Sequence, residues 1–470
     1  MYSERIERLL RDNNINVFDR IVVRIKHGGR TIEHEGLLMP RPETGNVDCL
    51  VIKLDNGYNI GVLVEKGNVP EIRLVRKASR GKQVENVGRT KIKGKVKEGK
   101  RTEKMIKKEG TGNVRRVQLP KVHVLGCGGT ISSKVEYLTG AVYPAMSEEE
   151  LISMFPEITD MAEIKAETVF SILSEDMTPL HWSVIAEEVK KRINNGADGI
   201  VITHGTDTMH YTSAALSFML QNLNVPVILT GAQRSSDRGS TDARLNLLSA
   251  VLAAGSDLGE VGVCMHADLN DNIAHVHRGT RVRKMHTSRR DAFKTVGGLP
   301  LLSVDPWARR IGEVSPYRRR GQGPLKFDNR VNDNVAMVYS YPGIDPELID
   351  SLTSYDGVVL VGTGLGHVST NPFGDKRAKP IIKNVSALIE SGIPVVLASQ
   401  TIYGRVNLNV YTAGRMLKEA GVIGHLCDWT PETAYAKLCW VLGHTKDMKK
   451  VKREMETNMA GEITERSIVI

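Results

Sequence analysis

Two short apolar runs, each followed closely by a glycine–threonine loop, constrain the fold of this 470-residue chain most. The run Val122–Leu125 precedes Gly128-Gly129-Thr130-Ile131, and the run Gly199–Thr203 precedes His204-Gly205-Thr206-Asp207-Thr208-Met209. Each run has the length and apolar character of a buried strand bounded by glycine. In an open parallel sheet, the loops at the carboxyl ends of the strands line the crevice where ligands bind. The pattern therefore predicts that both threonine loops lie at such an edge.

The side chains of these loops favour nucleophilic attack on a carbonyl carbon. They offer the hydroxyls of Thr130 and Thr206 and the carboxylate of Asp207. A threonine hydroxyl is inert at its free pKa and attacks only when a base, itself oriented by a third group, takes its proton. A lysine can be that base where a dry pocket favours its neutral form. We therefore expect a lysine or histidine from later in the chain, and Lys284 is the candidate.

Strand-like and helix-like segments alternate from Val122 onward and predict an α/β fold. Amphipathic stretches such as Leu180–Arg192 and Ala243–Ala254 lie between the apolar runs. This alternation is typical of folds built on a mainly parallel sheet. The runs expected to form strands are Val122–Leu125, Ile200–Thr203, Val225–Leu229, Val261–Met265, Val358–Val361 and Val395–Ala398.

The N-terminal part has a different pattern, one of short strands and tight turns. Arg20–Lys26, Cys49–Leu54 and Asn59–Val64 read as strands, and Asp55-Asn56-Gly57-Tyr58 has the residues of a hairpin turn. We predict a small β-barrel-like domain that serves docking rather than catalysis.

Changes in composition predict four segments. Residues 1–75 form the small β domain, residues 76–120 a basic linker, residues 121–334 a larger α/β domain with the catalytic residues, and residues 335–470 a smaller α/β domain with C-terminal helices. The boundary near 334 follows Asp305–Asn334, an arginine-rich region with several Gly and Pro residues that we expect to be mostly loop.

The formal net charge of +10 is concentrated in the predicted linker, where lysines and arginines recur from Arg76 to Lys121 with few glutamates between them. Such a run can neutralise nucleic-acid phosphates. A solvated linker has the same composition, so both interpretations stay open.

Composition also bounds the class of protein. No apolar run approaches the ~20 residues that cross a bilayer, and the charged segment Met1–Arg8 lacks the apolar region of a signal peptide. The five cysteines are scattered and fit free, mostly buried thiols, and the histidines have no metal-ligand spacing. We expect a cytoplasmic protein without a metal site.

Two further blocks complete a pattern with a known counterpart. Ser174-Glu175-Asp176-Met177 lies between the two threonine loops, and Arg278–Ser288, which contains Lys284, follows them. In this order, the four blocks resemble the bacterial-type L-asparaginases. The resemblance covers Val122 to Trp440 and implies an asparaginase-like fold with mainly parallel sheets in two domains.

The resemblance implies catalytic roles. Thr130 matches the nucleophile on the first loop. Thr206, Asp207 and Lys284 match a second triad, in which neutral lysine takes a proton from a threonine hydroxyl or a water. Which threonine attacks first stays open.

It also implies a substrate site. Ser174 matches the residue that receives the substrate α-carboxylate, and Asp207 the residue that grips its α-ammonium. Glu175 departs from the glutamine of many free asparaginases. Tyr143 or Tyr137 matches a tyrosine expected beside Thr130.

The N-terminal extension resembles one branch of these proteins, the D subunits of the archaeal glutamyl-tRNA(Gln) amidotransferases (GatD). The hairpin Leu54–Gly61, the loop Gly362–His367 and the segment Ala436–Gly443 share the resemblance. It implies a glutaminase that hydrolyses glutamine, and asparagine to some degree, and passes ammonia to a partner, the E subunit of the amidotransferase.

That partner would bind tRNA(Gln) and, with ATP and Mg²⁺, convert Glu-tRNA(Gln) to Gln-tRNA(Gln). No cofactor is expected in this chain, and the resemblance implies a homodimer within a heterotetramer. The alternative is a stand-alone cytoplasmic L-asparaginase, which does not need the N-terminal extension.

Overall fold

The computed structural model of the chain describes residues 2–27, 30–40, 46–54, 59–64, 69–77, 119–129, 131, 133–135, 142–144, 147–234, 241–321 and 323–467. The chain divides into two compact units, Met1–Gln118 and Leu119–Ile470. The predicted hairpin turn Asp55–Tyr58 and all of the basic linker from 78 to 118 lie outside the described residues.

The first unit is a helix with an antiparallel sheet in the order β4-β3-β2-β1-β5. Its elements are α1 (Glu4–Asp12), β1 (Arg20–His27), β2 (Arg30–Leu38), β3 (Cys49–Leu54), β4 (Asn59–Leu63) and β5 (Glu71–Arg76). Alternate residues of the strands, such as Ile21 and Val23, face a core that also takes Ile6 and Leu10 from one side of α1. The predicted N-terminal β domain is confirmed.

The second unit contains the remaining strands. They are β6 (Lys121–Gly126), β7 (Ser133–Val135), β8 (Val142–Pro144), β9 (Glu163–Thr168), β10 (Gly199–Thr203), β11 (Leu220–Gln221), β12 (Val227–Thr230), β13 (Val261–His266), β14 (Ala274–Arg278), β15 (Val282–Lys284), β16 (Phe293–Thr295), β17 (Leu302–Asp305), β18 (Arg310–Glu313), β19 (Lys326–Phe327), β20 (Val335–Tyr339), β21 (Gly357–Gly362) and β22 (Val395–Ser399).

The helices of this unit lie between strands from β8 to β13 and from β20 to β22, and consecutive helices follow β22. They are α2 (Glu148–Met154), α3 (Pro179–Asn194), α4 (Met209–Met219), α5 (Ala243–Ala254), α6 (Pro346–Asp350), α7 (Ile382–Glu390), α8 (Thr412–Ala420), α9 (Pro431–Leu442) and α10 (Met448–Glu456), with short 3₁₀ turns at Pro156–Asp160, Ser174–Asp176 and Ser351–Ser354.

Eight strands form one mixed sheet in the order β18-β17-β14-β13-β12-β10-β6-β9. Strands β13, β12, β10, β6 and β9 are parallel, whereas β14, β17 and β18 add antiparallel neighbours at one side. A second sheet, β20-β21-β22, is wholly parallel. The predicted α/β class is confirmed, and the antiparallel side is a feature that the apolar runs did not indicate.

Apolar residues cover both faces of the large sheet. In β10, Ile200 and Ile202 pack in the core that contains Trp182 of α3, whereas Val201 between them packs in the core that contains Leu247 of α5. Side chains alternate across a strand, so a strand buried on both faces reads as a continuous apolar run. This is why β6 and β10 could be located from sequence.

Three further sequence expectations can be compared with the structure. Cys127, Cys264, Cys427 and Cys439 are buried free thiols, and Cys49 is half-buried and free. The region Asp305–Asn334, expected to be mostly loop, contains the short strands β18 and β19. Among the helices that the structure describes, none has the length and apolar character needed to span a membrane.

Candidate active site

The two predicted loops meet at one edge of the sheet because β6 and β10 are parallel neighbours. Their register pairs Gly126 with Thr203 at the carboxyl ends, and the Cys127 amide donates a hydrogen bond to the Thr203 carbonyl at 2.9 Å. The segments that begin at Cys127 and His204 therefore leave the sheet side by side.

Glycine lets these loops approach closely. Gly128 and Gly129 have φ of 91° and 87°, a region that L side chains rarely adopt. A Cβ on Gly129 would lie 2.6 Å from the Gly205 nitrogen, and one on Gly128 would lie 2.1 Å from the Ile172 carbonyl oxygen. A Cβ on Gly205 would in turn lie 2.7 Å from the Ser174 Cβ. Close approach at Gly129 and Gly205 thus joins three of the predicted blocks.

Lys284 reaches the second loop from β15. Its Nζ donates hydrogen bonds to Thr206 Oγ1 at 2.8 Å and to Asp207 Oδ1 at 2.9 Å. The Thr206 residue is 7% exposed and the Lys284 side chain 9%, whereas the Asp207 side chain is 66% exposed. The structure therefore brings together a hydroxyl, an amine and a carboxylate, with the acid at the solvent side.

Ser174 and Glu175 lie in the 3₁₀ turn next to this group. Ser174 is buried, and its hydroxyl is 3.3 Å from Glu175 Oε2, to which it donates. Thr208, two residues after Thr206, donates from its hydroxyl to the Ser174 carbonyl at 2.6 Å. The turn that carries the predicted substrate residues is thus tied directly to the second loop.

The structure describes only part of the other predicted site residues. Thr130 and Tyr137 lie outside the described residues, as does the side chain of Tyr143. The backbone of Tyr143 lies in β8, opposite Lys134 of β7.

Histidines beside the site have roles that their sequence spacing does not show. His204 is buried; its Nδ1 lies 2.7 Å from the Gly205 carbonyl and its Nε2 lies 2.9 Å from Thr212 Oγ1. Burial lowers the pKa of His204 and of His210 to about 4. Both rings are therefore neutral near pH 7. Among the described residues, no group of three or more His, Cys, Asp and Glu side chains could hold a metal ion.

Sequence reasoning missed the charged residues around Lys284. Arg281 donates from Nη2 to Asp428 Oδ2 at 2.7 Å, and Arg283 donates from Nε to Glu432 Oε1 at 2.8 Å. The arginines at alternate positions before Lys284 were a signal of a shared face, but the acids that they bind lie about 150 residues away.

Models of known protein families match three parts of the chain. The family model "Asparaginase, N-terminal" matches residues 121–312, "Glutaminase/Asparaginase C-terminal domain" matches 334–455, and "GatD N-terminal domain" matches 15–74.

Similar proteins extend over the whole chain. The D subunit of glutamyl-tRNA(Gln) amidotransferase from Pyrococcus furiosus is 46% identical over 98% of this chain and 98% of its own length. The D subunit from Thermococcus kodakarensis is 44% identical with the same coverage of each.

Solved structures of L-asparaginases match a large part of the chain. The thermostable L-asparaginase from Thermococcus kodakarensis has a TM-score of 0.65 and 33% identity, covering 74% of this chain and 100% of the asparaginase. L-asparaginase I from Vibrio cholerae has a TM-score of 0.63 and 30% identity, covering 74% and 99%. With its asparaginase-type amidohydrolase fold and its full-length relatives, the chain belongs to the GatD family, the D subunits of glutamyl-tRNA(Gln) amidotransferase.

Proposed function

We propose that this chain hydrolyses glutamine through a threonine nucleophile and supplies the ammonia to a partner subunit. The observation that carries the proposal is the position of Lys284 Nζ, 2.8 Å from Thr206 Oγ1 and 2.9 Å from Asp207 Oδ1. A neutral lysine in this position can take a proton from the Thr206 hydroxyl or from a water beside it. The Asp207 carboxylate holds the amine in place.

The reaction has two half-reactions, and Thr130 is the proposed nucleophile. In the first, the Thr130 oxygen bonds to the carboxamide carbon of glutamine as its proton passes, through the Thr206 hydroxyl or a water, to Lys284. The C–N bond then breaks, and the nitrogen takes that proton back from Lys284 and leaves as ammonia. In the second, a water that has given its proton to Lys284 attacks the ester, which releases glutamate and restores the hydroxyl.

Substrate binding uses the groups around this centre. The Ser174 hydroxyl is proposed to receive the α-carboxylate, and Asp207 is proposed to bind the α-ammonium. Glu175, whose Oε2 accepts a hydrogen bond from the Ser174 hydroxyl at 3.3 Å, and Tyr143 complete the proposed substrate site.

The ammonia is proposed to pass to the E subunit, which would amidate glutamate on tRNA(Gln) with ATP and Mg²⁺. Full-length relatives that are D subunits of this amidotransferase support the assignment, as does the match of residues 15–74 to the GatD N-terminal domain. We also propose that the cofactors bind the partner rather than this chain, that tRNA(Gln) is held mostly by the partner, and that two copies of this chain act within a heterotetramer.

An assay of the full chain with and without the E subunit tests the proposal. We expect glutamine hydrolysis, and formation of Gln-tRNA(Gln) from Glu-tRNA(Gln), glutamine and ATP only when both proteins are present. Robust turnover of asparagine without the partner and no support of amidation would instead favour a stand-alone L-asparaginase. No hydrolysis of either amide under any condition would exclude both enzymes.

A further inference from the structure

The strand that carries Lys284 lies outside the sheet that positions Thr206. In the described part of the chain, β15 pairs with β16 in a separate two-stranded ribbon, with Lys284 opposite Phe293. Thr206 follows β10 in the eight-stranded sheet. Hydrogen bonds of a common sheet therefore do not fix the 2.8 Å contact between the two side chains, and other groups must hold the ribbon against the second loop.

Two arginines hold the ribbon to the C-terminal part of the chain. Arg283 leaves β15 on the face opposite Lys284, because side chains alternate along a strand, and its Nε donates to Glu432 Oε1 at 2.8 Å. Arg281 donates from Nη1 to the Asp428 carbonyl and from Nη2 to the Asp428 carboxylate, both at 2.7 Å. The carboxylates of Asp428 and Glu432 are almost wholly buried.

Glu432 faces both catalytic segments. It is the second residue of α9, where the helix N-terminus favours a negative charge. The same Oε1 that binds Arg283 lies 4.0 Å from Nε2 of His210. His210 is the second residue of α4, the helix that begins directly after Thr206-Asp207-Thr208. One carboxylate oxygen thus stands between the helix that follows Thr206 and the strand that ends at Lys284.

The surroundings of Glu432 favour a functional placement. Its Oε2 and the His210 Nδ1 are buried without a hydrogen-bond partner among the described residues. An unpaired buried polar atom reduces the free energy of unfolding, and burying an ion pair often adds nothing to it. Stability alone therefore does not explain why Glu432 lies here. Since burial keeps His210 neutral near pH 7 by lowering its pKa, Arg283 is the cation that Glu432 binds.

We propose that Glu432 is a positioning residue that, through Arg283, holds β15 where Lys284 Nζ meets Thr206 Oγ1. The helix α9, which belongs to the C-terminal part of the chain, would thereby align a catalytic pair in the N-terminal part of the asparaginase region. The inference rests on the proposed function, because it assigns Glu432 to the same amide hydrolysis.

The test is the rate of ammonia release from glutamine by the full chain together with its partner subunit. Glu432→Gln removes the negative charge with nearly the same shape, Arg283→Met removes the guanidinium but keeps an unbranched stem, and their double variant removes both charges. Glu419→Gln on the exposed face of α8 is the matched control. A displacement of ~1 Å at a reacting group costs about 100-fold, so we expect kcat to fall by about 10- to 100-fold with little change in KM.

Non-additivity separates positioning from general loosening. If the two residues act as one unit, the double variant should be no slower than the slower single variant. Wild-type kcat in folded Glu432→Gln, or additive losses in the double variant, would overturn the proposal. Should Glu432→Gln fail to fold, Arg283→Met alone decides, since Arg283 is partly exposed. A Lys284→Ala variant that releases ammonia at the wild-type rate would overturn the proposed function itself, whatever the result at Glu432.

Discussion

Two lysine–carboxylate pairs in this chain contain the same functional groups but differ in burial and in hydrogen-bond partners. Lys437 and Glu462 are 0% exposed and 2.6 Å apart, and the Lys437 amine also donates to the carbonyls of Met455 and Thr457. Lys284 bonds to a carboxylate whose side chain is 66% exposed and to a hydroxyl. The first pair uses all three donors of its ammonium group; the second has two partners among the described residues, and one of them can itself give up a proton.

The difference separates a lysine that stabilises the fold from a lysine that we propose to act in catalysis. Glu462 also accepts from the backbone amides of Met459 and Ala460, so the Lys437 pair fixes the chain after α10. Breaking such a buried network leaves an uncompensated charge. Lys284 contacts Thr206 and Asp207 at the carboxyl ends of the parallel strands, where substrate can reach these side chains. We therefore expect loss of Lys437 to reduce stability and loss of Lys284 to reduce activity.

Lys284 provides the first catalytic test. General acid–base groups contribute about 100- to 10,000-fold to rates, so Lys284→Ala should lower kcat for glutamine by that factor with little change in the melting temperature. Lys284→Arg places a permanent positive charge at this position but cannot act as a base near neutral pH, so it should be nearly as slow. Steady-state ammonia release and thermal unfolding measure the two quantities. An active Arg variant would reduce Lys284 to an electrostatic group and remove its contrast with Lys437.

Thr130 provides a second catalytic test. Thr130→Ala should abolish ammonia release because it lacks the attacking oxygen, whereas Thr130→Ser should retain part of the activity. The melting temperature should stay unchanged in both. Ammonia release at the wild-type rate in Thr130→Ala would assign the first attack to another group, with Thr206 as the next candidate.

Lys437 should give the opposite result. Lys437→Ala leaves Glu462 as an unpaired buried charge, and we expect a loss of about 3–5 kcal/mol in the free energy of unfolding. Denaturant titration measures it, and the rate per folded molecule should stay near that of the wild type. The contrast fails if this variant is fully stable, or if it is folded but inactive.

Acidic pH should lower the free energy of unfolding of the chain because of its buried histidines. Burial lowers the pKa of His204 to about 4 and that of His277 to about 3, against about 6.5 in the unfolded chain. Below pH 6.5 the unfolded state therefore binds protons that the folded state does not, and stability falls as the pH drops from about 6.5 to 4. One such histidine lowers the free energy of unfolding by about 3 kcal/mol over that range. Denaturant titrations across the range should show a flatter dependence for His277→Gln, and an unchanged slope would refute this origin.

Local sequence patterns were enough for part of this architecture. Continuous apolar runs located β6 and β10, because strands that are buried on both faces leave such patterns. The stretch Ala243–Ala254 coincides with α5, but the helix is buried on almost all sides and is not amphipathic as expected. The short edge strand β18 has four exposed residues and no such pattern, so its region was expected to be loop.

The candidate site was likewise only partly predictable from the sequence. Resemblance to the asparaginases singled out Thr206, Asp207 and Lys284, which the structure brings together. The pairing of Arg283 with Glu432 joins residues 149 positions apart. No local rule links two such positions, because only the packing of α9 beside α4 and β15 brings them together. Tertiary contacts of this kind are not visible in one sequence.

The smallest effect on glutamine hydrolysis is expected from removing the first unit. A chain that begins at Leu119 keeps Pro120, whose carbonyl accepts from the Glu163 amide, and Lys121, whose amide donates to Asp198. Every matched catalytic position lies after this point, so basal hydrolysis of glutamine should survive. Transfer of ammonia to Glu-tRNA(Gln) should fall if residues 1–118 dock the partner or its tRNA, and added ammonium should restore amidation. Equal glutamine-dependent amidation by the truncated and full-length chains would show that the first unit and linker are only a spacer.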